Sequence, residues 1–519
     1  MKNPAKNGHG DDEPLDPLII IVSNRGPYSF EPIKGKPGEF DSKRGAGGLV
    51  TAIGALAEQH DVLWVAAALS EGDREWAKIQ GKEAVDVDGT RLRLIIPNIK
   101  AYNFYYNVIA NPLLWFIHHQ LFDASRDPSI TRETWEAWEN GYTAINQQFA
   151  DAIIESVKNE TRRVIILPQD YHLYLLPGML RDALGPKVEI QPFIHIPWPG
   201  PDSWQILPTQ MRNAILEGLL ASNRVGFQTR KDAFNFVQTC RFYLEDAHSY
   251  GSRDSITYKG RKVGAIDYPI SIDVEKMEML TDSNEVHLLR AQLINFISGR
   301  KLILRTDRIE PSKNILRGLE AFRILLEDHP EYHGDIQMLA LLVPSRMDVS
   351  EYRDYLQQIM AEGGMINANY SDGFWEPVRI IVGDNYNRAI AAMELYDVLL
   401  VNPLADGINL VAKEGPVANQ NDGVLVLSEN AGAFYELGEY ALTVSPFDVY
   451  GTAKAIHKAL SMPADERKKR AESMRKSIQK ADIKRWFKDQ LEDALRDNAS
   501  KSQPKKDPTS KGSETNKSA

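Results

Sequence analysis

Apolar runs bounded by turn residues recur along the whole chain. They cover residues 18–24, 62–68, 163–170, 188–197 and 224–229 in the first half, and 301–308, 336–344, 378–383, 397–403 and 423–430 in the second. Within each run the hydrophobicity is continuous rather than alternating, which is typical of strands covered on both faces, as in parallel sheets. The segments between the runs carry helical periodicity. The pattern therefore predicts an α/β protein with two parallel sheets, one in each half.

A break in this pattern near residue 270 predicts two domains. The chain has 519 residues, more than one core of ordinary size accommodates. Since ligands of open α/β sheets bind at the carboxyl ends of the strands, the cleft between two such domains is the expected site. The predicted parts are a disordered N-terminus (1–15), an N-terminal parallel-sheet domain (16–268), a C-terminal parallel-sheet domain (269–480), a terminal helix returning to the N-terminal domain (481–496) and a polar, disordered tail (497–519).

Composition and charge are those of an ordinary soluble globular protein. The chain is 43% apolar and 25% charged with a net charge of −10, and outside the tail its cations are dispersed, which argues against nucleic-acid binding. The N-terminus lacks the apolar core of a secretory signal, and no run reaches the roughly 18 apolar residues of a membrane span. The single cysteine, Cys240, has no disulfide partner. We therefore expect a cytoplasmic protein without membrane contacts, and homo-oligomerisation stays open.

Polar clusters follow several of the predicted strands. In the glycine-rich stretch 43–56, Gly45, Gly47 and Gly48 permit close backbone approach to a phosphate or sugar oxygen, although a flexible turn is the alternative. In PQDYHL (168–173) and FIHIPWP (193–199), His195 can donate a hydrogen bond to a substrate hydroxyl and Asp170 can accept one. A structural histidine and a helix-capping aspartate are equally compatible with these two positions.

Cations end two strands of the second half. In RTDRIEPSKN (305–314), Arg308 and Lys313 precede a helix start, and two cations beside a helix N-terminus suit a diphosphate. Arg346 follows the next strand as a further anion ligand. The alternative is that these side chains only face solvent. With Arg308 and Lys313 available, no divalent ion is needed, and no metal motif or cofactor motif is found.

The segment LADGINLVAKE (404–414) carries two acids eight positions apart. Eight helical residues span about 12 Å, whereas the two carboxyls of a retaining glycosidase lie about 5 Å apart. Asp406 and Glu414 are therefore not expected to act as a hydrolytic pair. The backbone N–H groups of Asn409, Leu410 and Val411 are expected to face an anion. The alternative is that Asp406 caps a helix and Glu414 is exposed on it.

Taken together, these motifs resemble the trehalose-6-phosphate synthase family of retaining glucosyltransferases, in order across residues 18–490. The most specific element is DGINLVAKE (406–414) with GVLVLSENAGA (423–433) downstream, and DYHL, FIHIPWP, GFQT, PSRMDV and YYN…LLW support it. The resemblance implies a GT-B fold, in which two Rossmann-like domains face each other across a cleft. It also implies transfer of glucose from a nucleotide sugar, typically UDP-glucose, to glucose 6-phosphate, giving trehalose 6-phosphate with retention of configuration.

The resemblance further implies roles for individual residues. On the donor side it puts Arg308 and Lys313 at the diphosphate, the backbone of Asn409, Leu410 and Val411 at the phosphates, Glu414 at the ribose, Gly48 near the donor, and Asp406 and His195 at hydroxyls of the transferred glucose. On the acceptor side it puts Asp170 at the sugar and Arg25, Tyr106, Trp115 and Arg346 around its 6-phosphate. The diphosphate helps to deprotonate the acceptor, so the protein needs cations and a cage around the sugar. On this interpretation Asp406 and Glu414 mark the two ends of the donor.

Two elements depart from the family pattern. Many synthases carry Leu-Asp-Tyr-Ser-Lys-Gly where this chain has IEPSKN (309–314), and His where it has Gln169. The variant is similar to relatives with altered acceptors, namely glucosylglycerol-phosphate synthases and the pseudo-glycosyltransferase that joins cyclitols through nitrogen. A different phosphorylated acceptor and a catalytically silent sugar-phosphate-binding regulator are thus the alternative hypotheses. Retention of Arg308, Lys313, Asp406 and Glu414 argues against the silent regulator, and without a D-x-D-x-T block no phosphatase activity is expected.

Overall fold

The computed structural model describes residues 16–45, 50, 60–347, 349–481 and 483–499. The strands, numbered in chain order, are β1 Leu18–Arg25, β2 Tyr28–Pro32, β3 Phe40–Arg44, β4 Val62–Ala67, β5 Val85–Val87, β6 Thr90–Ile95, β7 Val164–Pro168, β8 Glu189–Ile190, β9 Phe193–Ile194, β10 Arg224–Phe227, β11 Ala247–His248, β12 Ser255–Tyr258, β13 Arg261–Asp267, β14 Lys301–Arg308, β15 Ile336–Val343, β16 Val378–Val382, β17 Val398–Val401, β18 Val424–Ser428 and β19 Leu442–Val444.

Helices separate most of these strands. The α-helices are Glu71–Gln80, Ile99–Asn103, Trp115–His119, Arg132–Ala137, Ala144–Val157, Leu176–Leu184, Thr209–Leu220, Arg230–Tyr243, Val274–Thr281, Asn284–Ile297, Ile315–Asp328, Ser350–Tyr370, Tyr386–Met393, Val411–Ala418, Phe434–Leu437, Val449–Leu460, Ala464–Lys480 and Ile483–Ala499. Wider π-helical turns lie at Phe104–Leu114 and Trp138–Thr143, and 3₁₀ turns at Tyr171–Leu173, Gly185–Lys187, Pro201–Ile206, Pro311–Lys313 and Pro330–Tyr332. None of the helices in the described part of the chain is both long and apolar enough to cross a bilayer.

The sheets confirm the predicted α/β class, but the expectation of one parallel sheet in the first half is wrong, because that half contains two larger sheets and the second is partly antiparallel. In the first half, a six-stranded sheet has the order β5-β6-β4-β1-β7-β8, and all its pairs except β5–β6 are parallel. A five-stranded sheet follows with the order β11-β12-β13-β10-β9, and a parallel bridge between Gln169 and Phe193 connects the two. In the second half, a six-stranded sheet with the order β16-β15-β14-β17-β18-β19 is parallel throughout. A small hairpin joins β2 to β3.

The central strands are buried on both faces, as their continuous hydrophobicity predicted. The first seven residues of β1 and all six of β4 are buried, and so are all four of β17 and all five of β18. Strands covered by helices on both sides have no solvent face that would require alternating polar residues. The runs predicted in the second half therefore match β14 to β18 closely in position.

The single strand expected at 188–197 is wrong, because the chain forms two short strands there. Pro192 separates β8 from β9 and has no N–H to donate to a sheet, while its carbonyl accepts a hydrogen bond from the backbone N–H of Gly226 at 2.8 Å. The chain passes at this point from pairing with β7 to pairing with β10. The crossing carries the backbone to His195 at the edge of the next sheet.

The helix Ile483–Ala499 packs on the first sheet. Trp486 and Phe487 share one apolar cluster with Ile19 and Trp64 of that sheet. The Arg163 guanidinium donates to the carbonyl of Leu495 at 2.9 Å, so the helix is also held by hydrogen bonds. The last described segment of the chain thus contacts its beginning.

Candidate active site

One cavity collects most of the predicted site residues at the carboxyl ends of the strands. It has a volume of about 400 Å³ and is lined by residues of both halves of the chain; we call it the cleft pocket. Strands β1, β7, β9 and β14 end beside it, as expected for a ligand site of open α/β sheets. The predicted residues in its lining are Arg25, Tyr106, Trp115, Asp170, His195, Arg308, Lys313, Arg346 and Asp406.

The other predicted residues lie elsewhere. Asn409 and Leu410 precede the helix Val411–Ala418, and Glu414 lies in its first turn; none of them is in the lining of the cleft pocket, nor is Val411. Gly48 lies outside the described residues. Their assignment to a donor stays a prediction.

Three expectations about the segment 404–414 are wrong. The helix begins only at Val411, so Asp406 does not cap it; Asn409 accepts a hydrogen bond from the N–H of Ala412 at 3.3 Å instead. Since four residues between Asp406 and Val411 are not helical, the helical spacing expected between Asp406 and Glu414 does not apply. Glu414 is half-buried rather than exposed, and its carboxylate accepts from the Tyr386 hydroxyl at 3.1 Å. Burial raises the pKa of Glu414 to about 6.

Asp170 is a strained residue aimed at the neighbouring strand. Its φ is 74°, a conformation that non-glycine residues rarely adopt, and it precedes the 3₁₀ turn Tyr171–Leu173. Its Oδ1 accepts a hydrogen bond from the backbone N–H of His195 at 3.3 Å. Burial raises the pKa of Asp170 to about 6, against the opposing effect of the hydrogen bonds and of Arg346 and Arg308. The carboxyl is therefore fixed in place in the lining of the pocket.

His195 lies beside Asp170 and is held on both ring nitrogens. Its Nε2 is 3.0 Å from Oε1 of Gln169, and its Nδ1 is 3.4 Å from Nε2 of Gln228. The Phe193 ring stands edge-on to it at 4.6 Å between centroids. Burial lowers the pKa of His195 to about 3, so the imidazole is neutral at ordinary pH.

A buried acid, Glu310, joins the two arginines of the pocket. Its Oε1 lies 3.0 Å from Nη1 of Arg308 and 2.8 Å from Nη1 of Arg346, and it also accepts from the Ser345 hydroxyl at 2.9 Å. Burial opposes ionisation of Glu310, but the nearby cations outweigh it and hold its pKa at about 2. Glu310 thereby holds both guanidinium groups in the lining of one cavity.

Aromatic rings form the wall behind Arg346. The Arg346 guanidinium stacks on the Trp115 ring, 4.1 Å from its centroid, and the Arg308 guanidinium is 5.7 Å from the same ring. Arg346 also donates to the Tyr352 hydroxyl at 3.1 Å. Tyr106 stacks on the His172 ring at 5.7 Å between centroids. A planar cation on an aromatic face has few accessible rotamers, so its charge keeps one position.

Lys313 and Asp406 form an ion pair across the pocket. The ammonium group donates to Oδ2 of Asp406, and the Asn409 amide donates to the same oxygen at 3.1 Å. Only 13% of the Lys313 side chain and 16% of the Asp406 side chain are exposed, so the pair is largely shielded from solvent. Lys313 follows β14 and Asp406 follows β17, two strands that pair in the sheet.

The loop of Asp406 fits between two other segments because Gly407 has no side chain. A Cβ at Gly407 would lie 1.9 Å from the carbonyl oxygen of His195, and a Cβ at Gly432 would lie 1.8 Å from the carbonyl oxygen of Gly407. The N–H of Gly432 donates to the carbonyl of Asp406 at 3.0 Å. This close stacking explains why the motifs at 406–414 and 423–433 occur together.

Sequence reasoning missed several polar residues of the site. Glu310 lies within the departing segment IEPSKN, two positions after Arg308, where an acid close to a cation is a usable signal. Gln169, which follows β7, was marked only as a departure from the family pattern, and Gln228 is marked only by its position after β10. Tyr386 carries no local signal at all, since its partner Glu414 is 28 positions away. Within the described ranges, no group of three or more His, Cys, Asp and Glu side chains is arranged to hold a metal ion.

Fold and site together define a class of protein. Two sets of parallel-strand sheets with helices on their faces and a charged pocket at the strand ends between them are the GT-B architecture of glycosyltransferases. The model of glycosyltransferase family 20 matches residues 17–496, and the chain belongs to that family. The family resemblance and the fold class inferred from the motifs are thereby confirmed.

Known proteins that are similar to this chain carry related names. A bifunctional trehalose-6-phosphate synthase/phosphatase from Thermoproteus tenax is 32% identical over 485 residues, which are 91% of this chain and 62% of the relative, so this chain spans less than two thirds of it. A trehalose-6-phosphate protein from E. coli, solved with bound UDP-2-fluoro glucose, is 29% identical with a TM-score of 0.80 over 92% of this chain and 99% of that one. An alpha,alpha-trehalose-phosphate synthase (UDP-forming) from Burkholderia xenovorans, solved with glucose-6-phosphate, is 27% identical with a TM-score of 0.77 over 92% and 100%.

Proposed function

We propose that this protein transfers glucose from UDP-glucose to glucose 6-phosphate with retention of configuration, giving trehalose 6-phosphate and UDP. The observation that carries the proposal is the pair Arg308 and Arg346, which share the buried carboxylate of Glu310 in one pocket. Two phosphorylated substrates that react with each other need cations in adjacent places, and such a pair supplies them. The names and ligands of the similar proteins support the same reaction.

On the donor side, Arg308 and Lys313 neutralise the diphosphate. Backbone N–H groups at Asn409, Leu410 and Val411, at the start of the helix Val411–Ala418, add partial positive charge toward it. Glu414 accepts hydroxyls of the ribose, and Asp406 and His195 bind hydroxyls of the transferred glucose. The ion pair between Lys313 and Asp406 supports this order along the donor, since the two side chains already meet in the pocket.

On the acceptor side, Arg346 binds the 6-phosphate together with Arg25, Tyr106 and Trp115. Stacking on Trp115 and pairing with Glu310 hold the Arg346 guanidinium in place. Asp170 accepts a hydroxyl of the acceptor sugar, and the N–H of His195 keeps its carboxylate oriented toward the pocket. A planar guanidinium suits a terminal phosphate because it donates two parallel hydrogen bonds.

The chemical step exchanges one bond at the anomeric carbon. The bond to the diphosphate oxygen breaks, the bond to the acceptor oxygen forms on the same face, and the departing diphosphate takes the proton of the acceptor hydroxyl. Arg308 and Lys313 stabilise the charge that develops on the leaving group, which is the main electrostatic contribution of the protein. No side chain becomes covalently bound to the sugar.

A second candidate function uses the same donor and another phosphorylated acceptor. It is favoured by two departures from the common family pattern: Gln169, which lines the pocket, and the segment IEPSKN (309–314), whose Glu310 pairs with Arg346 on the acceptor side. The segment also enters the helix Ile315–Asp328 in a backbone conformation that non-glycine residues rarely adopt, since Asn314 has a φ of 57°. The side-chain amide of Asn314 donates to the carbonyls of Asn402 and Pro446 at 3.0 and 2.7 Å.

One assay tests both candidates. The purified protein is incubated with UDP-glucose and one acceptor at a time, either glucose 6-phosphate, glycerol 3-phosphate or a free sugar. Release of UDP is then followed. Release with glucose 6-phosphate alone supports the first candidate, and release only with another acceptor supports the second. No release of UDP with any of these acceptors would instead support a regulator that binds sugar phosphates.

The setting of the reaction is part of the proposal. We infer a cytoplasmic enzyme from the single cysteine, which is buried, and from the dispersed surface charge. We also propose that residues 16–268 and 269–480 act as acceptor and donor domains, with the terminal helix spanning back to the first. Fractionation and limited proteolysis test these two statements.

A further inference from the structure

The His195 ring lies between two buried glutamines. The side-chain amide of each glutamine has one orientation, so its oxygen and its nitrogen cannot swap places. Gln169 is 3% exposed and Gln228 is 2% exposed, so each amide relies on protein partners. Each has one partner in the backbone and faces His195 with the other end of its amide. The backbone partner of each glutamine determines whether its amide oxygen or its amide nitrogen faces His195.

Gln169 presents an acceptor to the ring. Its Nε2 donates to the carbonyl of Leu167 at 3.0 Å, and Oε1 therefore faces Nε2 of His195 at 3.0 Å. Turning the amide over would set its oxygen against the carbonyl of Leu167 and leave two buried acceptors facing each other without a hydrogen bond, which is unfavourable. A ring nitrogen opposite Oε1 must carry a proton.

Gln228 presents a donor. Its Oε1 accepts from the backbone N–H of Ile270 at 2.9 Å, and Nε2 therefore faces Nδ1 of His195 at 3.4 Å. In the reversed orientation the NH₂ group of Gln228 would face the backbone N–H of Ile270, and two donors would meet without an acceptor. A ring nitrogen opposite an NH₂ group must offer a lone pair.

We infer that Gln169 and Gln228 are positioning residues that hold His195 as the neutral imidazole with its proton on Nε2. The imidazolium would place a proton on Nδ1 against the Gln228 amide, and the other tautomer would mismatch both glutamines at once. The burial that lowers the pKa of His195 acts in the same direction. The predicted effect of the two glutamines on turnover rests on the proposed function, whereas the predicted tautomer of His195 does not.

The charged groups around the ring do not override this arrangement. The pocket that His195 lines also contains Arg25, Asp170, Arg308, Lys313, Arg346 and Asp406, four cations and two acids. Asp170 accepts from the backbone N–H of His195 rather than from its ring, and Asp406 is paired with Lys313. Behind the ring stand Phe193 and Trp486, which carry no charge. Burial lowers the pKa of the other two histidines of the pocket, to about 4 for His119 and about 3 for His172.

The consequence concerns the pH dependence of transfer. A neutral His195 with a fixed tautomer presents the same dipole to the transferred glucose over the whole pH range of the reaction. The plot of rate against pH should therefore show no step caused by ionisation of His195. At position 169 the chain has an amide, which does not titrate. The glutamine pair thus makes the orientation of His195 independent of pH.

Nitrogen NMR of the substrate-free protein with labelled histidine rings tests the inference. The signal of His195, one of 11 histidines, is the one lost in His195→Asn. We expect a proton bound to Nε2 and none on Nδ1 from pH 5 to 8. In Gln228→Glu one carboxylate oxygen still accepts from Ile270 and the other attracts a proton to Nδ1, so the ring should become an imidazolium with a pKa above its ordinary value of 6.5.

Two further variants separate charge from packing. Gln228→Met has similar volume without charge and should leave the ring neutral, and Gln337→Met changes a buried glutamine of β15 far from the pocket and reports the general cost of such a change. Gln228→Glu should lower kcat/KM about tenfold and add a limb at the raised pKa of His195. A wild-type ring protonated on Nδ1, or one that titrates near pH 6.5, overturns the inference. Because the tautomer is read without substrate, an inactive protein with the expected tautomer would contradict the proposed function alone.

Discussion

Gly407 lies directly against the backbone carbonyl of His195, so closely that a Cβ at position 407 would be 1.9 Å from its oxygen. The contact joins a loop after β17 to a residue after β9, strands that belong to different sheets. The distance between Asp406 and the His195 ring therefore depends on a glycine that contributes no chemistry of its own.

The first prediction concerns this contact. Gly407→Ala must push the two segments apart, since the carbonyl of His195 belongs to the backbone and cannot rotate away. We expect kcat/KM to fall about 100-fold, because small displacements of reacting groups have effects of that size. The free energy of unfolding should fall by about 1–3 kcal/mol. Gly364→Ala is the control, since nothing lies within 4 Å of its added Cβ. Equal kinetics of the two variants would contradict the argument.

The second prediction concerns Glu310. Glu310→Gln keeps the shape of the side chain but removes the charge that holds Arg308 and Arg346 together, so the two guanidinium groups should repel each other. We expect kcat/KM for the acceptor to fall about 100-fold and the thermal midpoint to drop, since breaking a buried ion pair costs several kcal/mol. Steady-state kinetics with varied glucose 6-phosphate and calorimetry measure both effects. Glu351→Gln, on an exposed acid of the helix Ser350–Tyr370, should change neither.

Lys313 provides the third prediction. Lys313→Ala uncovers charge on the leaving diphosphate and, among the residues that the structure describes, leaves the Asp406 carboxylate with the amide of Asn409 as its side-chain partner. We expect kcat to fall about 100- to 1,000-fold, the range found for the loss of one group that stabilises a developing charge. Lys187→Ala removes an exposed lysine and is the matched control. Near-normal turnover of Lys313→Ala would show that the diphosphate binds elsewhere.

The fourth prediction is a pH dependence. The pKa of Asp170 is raised to about 6 by burial, above its ordinary value of 3.8, so the folded protein binds this proton more tightly than the unfolded chain does. The contribution of Asp170 to stability is therefore largest at low pH and declines as the pH rises from about 4 to about 6. If its carboxylate accepts the acceptor hydroxyl, kcat/KM should rise through about pH 6.

Two variants assign that limb. Asp170→Asn should abolish it, and asparagine tolerates the φ of 74° at this position. Glu414 has its pKa raised to about 6 as well, also by burial, so Glu414→Gln is the necessary comparison. A limb that survives in Asp170→Asn and disappears in Glu414→Gln would assign the titration to Glu414. The rate profiles are measured at saturating donor to separate binding from transfer.

Local patterns predicted much of the fold. Buried parallel strands are continuous apolar runs, so β1, β4, β7 and β14 to β18 were found from the sequence with small errors at their ends. β6 was missed because Arg91 and Arg93 interrupt its apolar residues; Arg93 is nevertheless buried, as its guanidinium pairs with Glu155 at 2.5 Å. A strand whose polar side chains find partners in a distant helix has no local signature.

For the site, the types of side chain at the carboxyl ends of the strands, and hence the chemistry of Arg308, Lys313, Arg346, Asp170 and Asp406, could be inferred from the sequence. Their pairing depends on the tertiary structure. The contact of Glu310 with Arg346, the two glutamines that flank His195 and the contact of Gly407 involve segments far apart in the chain. Hydrogen bonds and close packing act over a few ångströms in space, and no periodicity in the sequence records which distant residues come within that range.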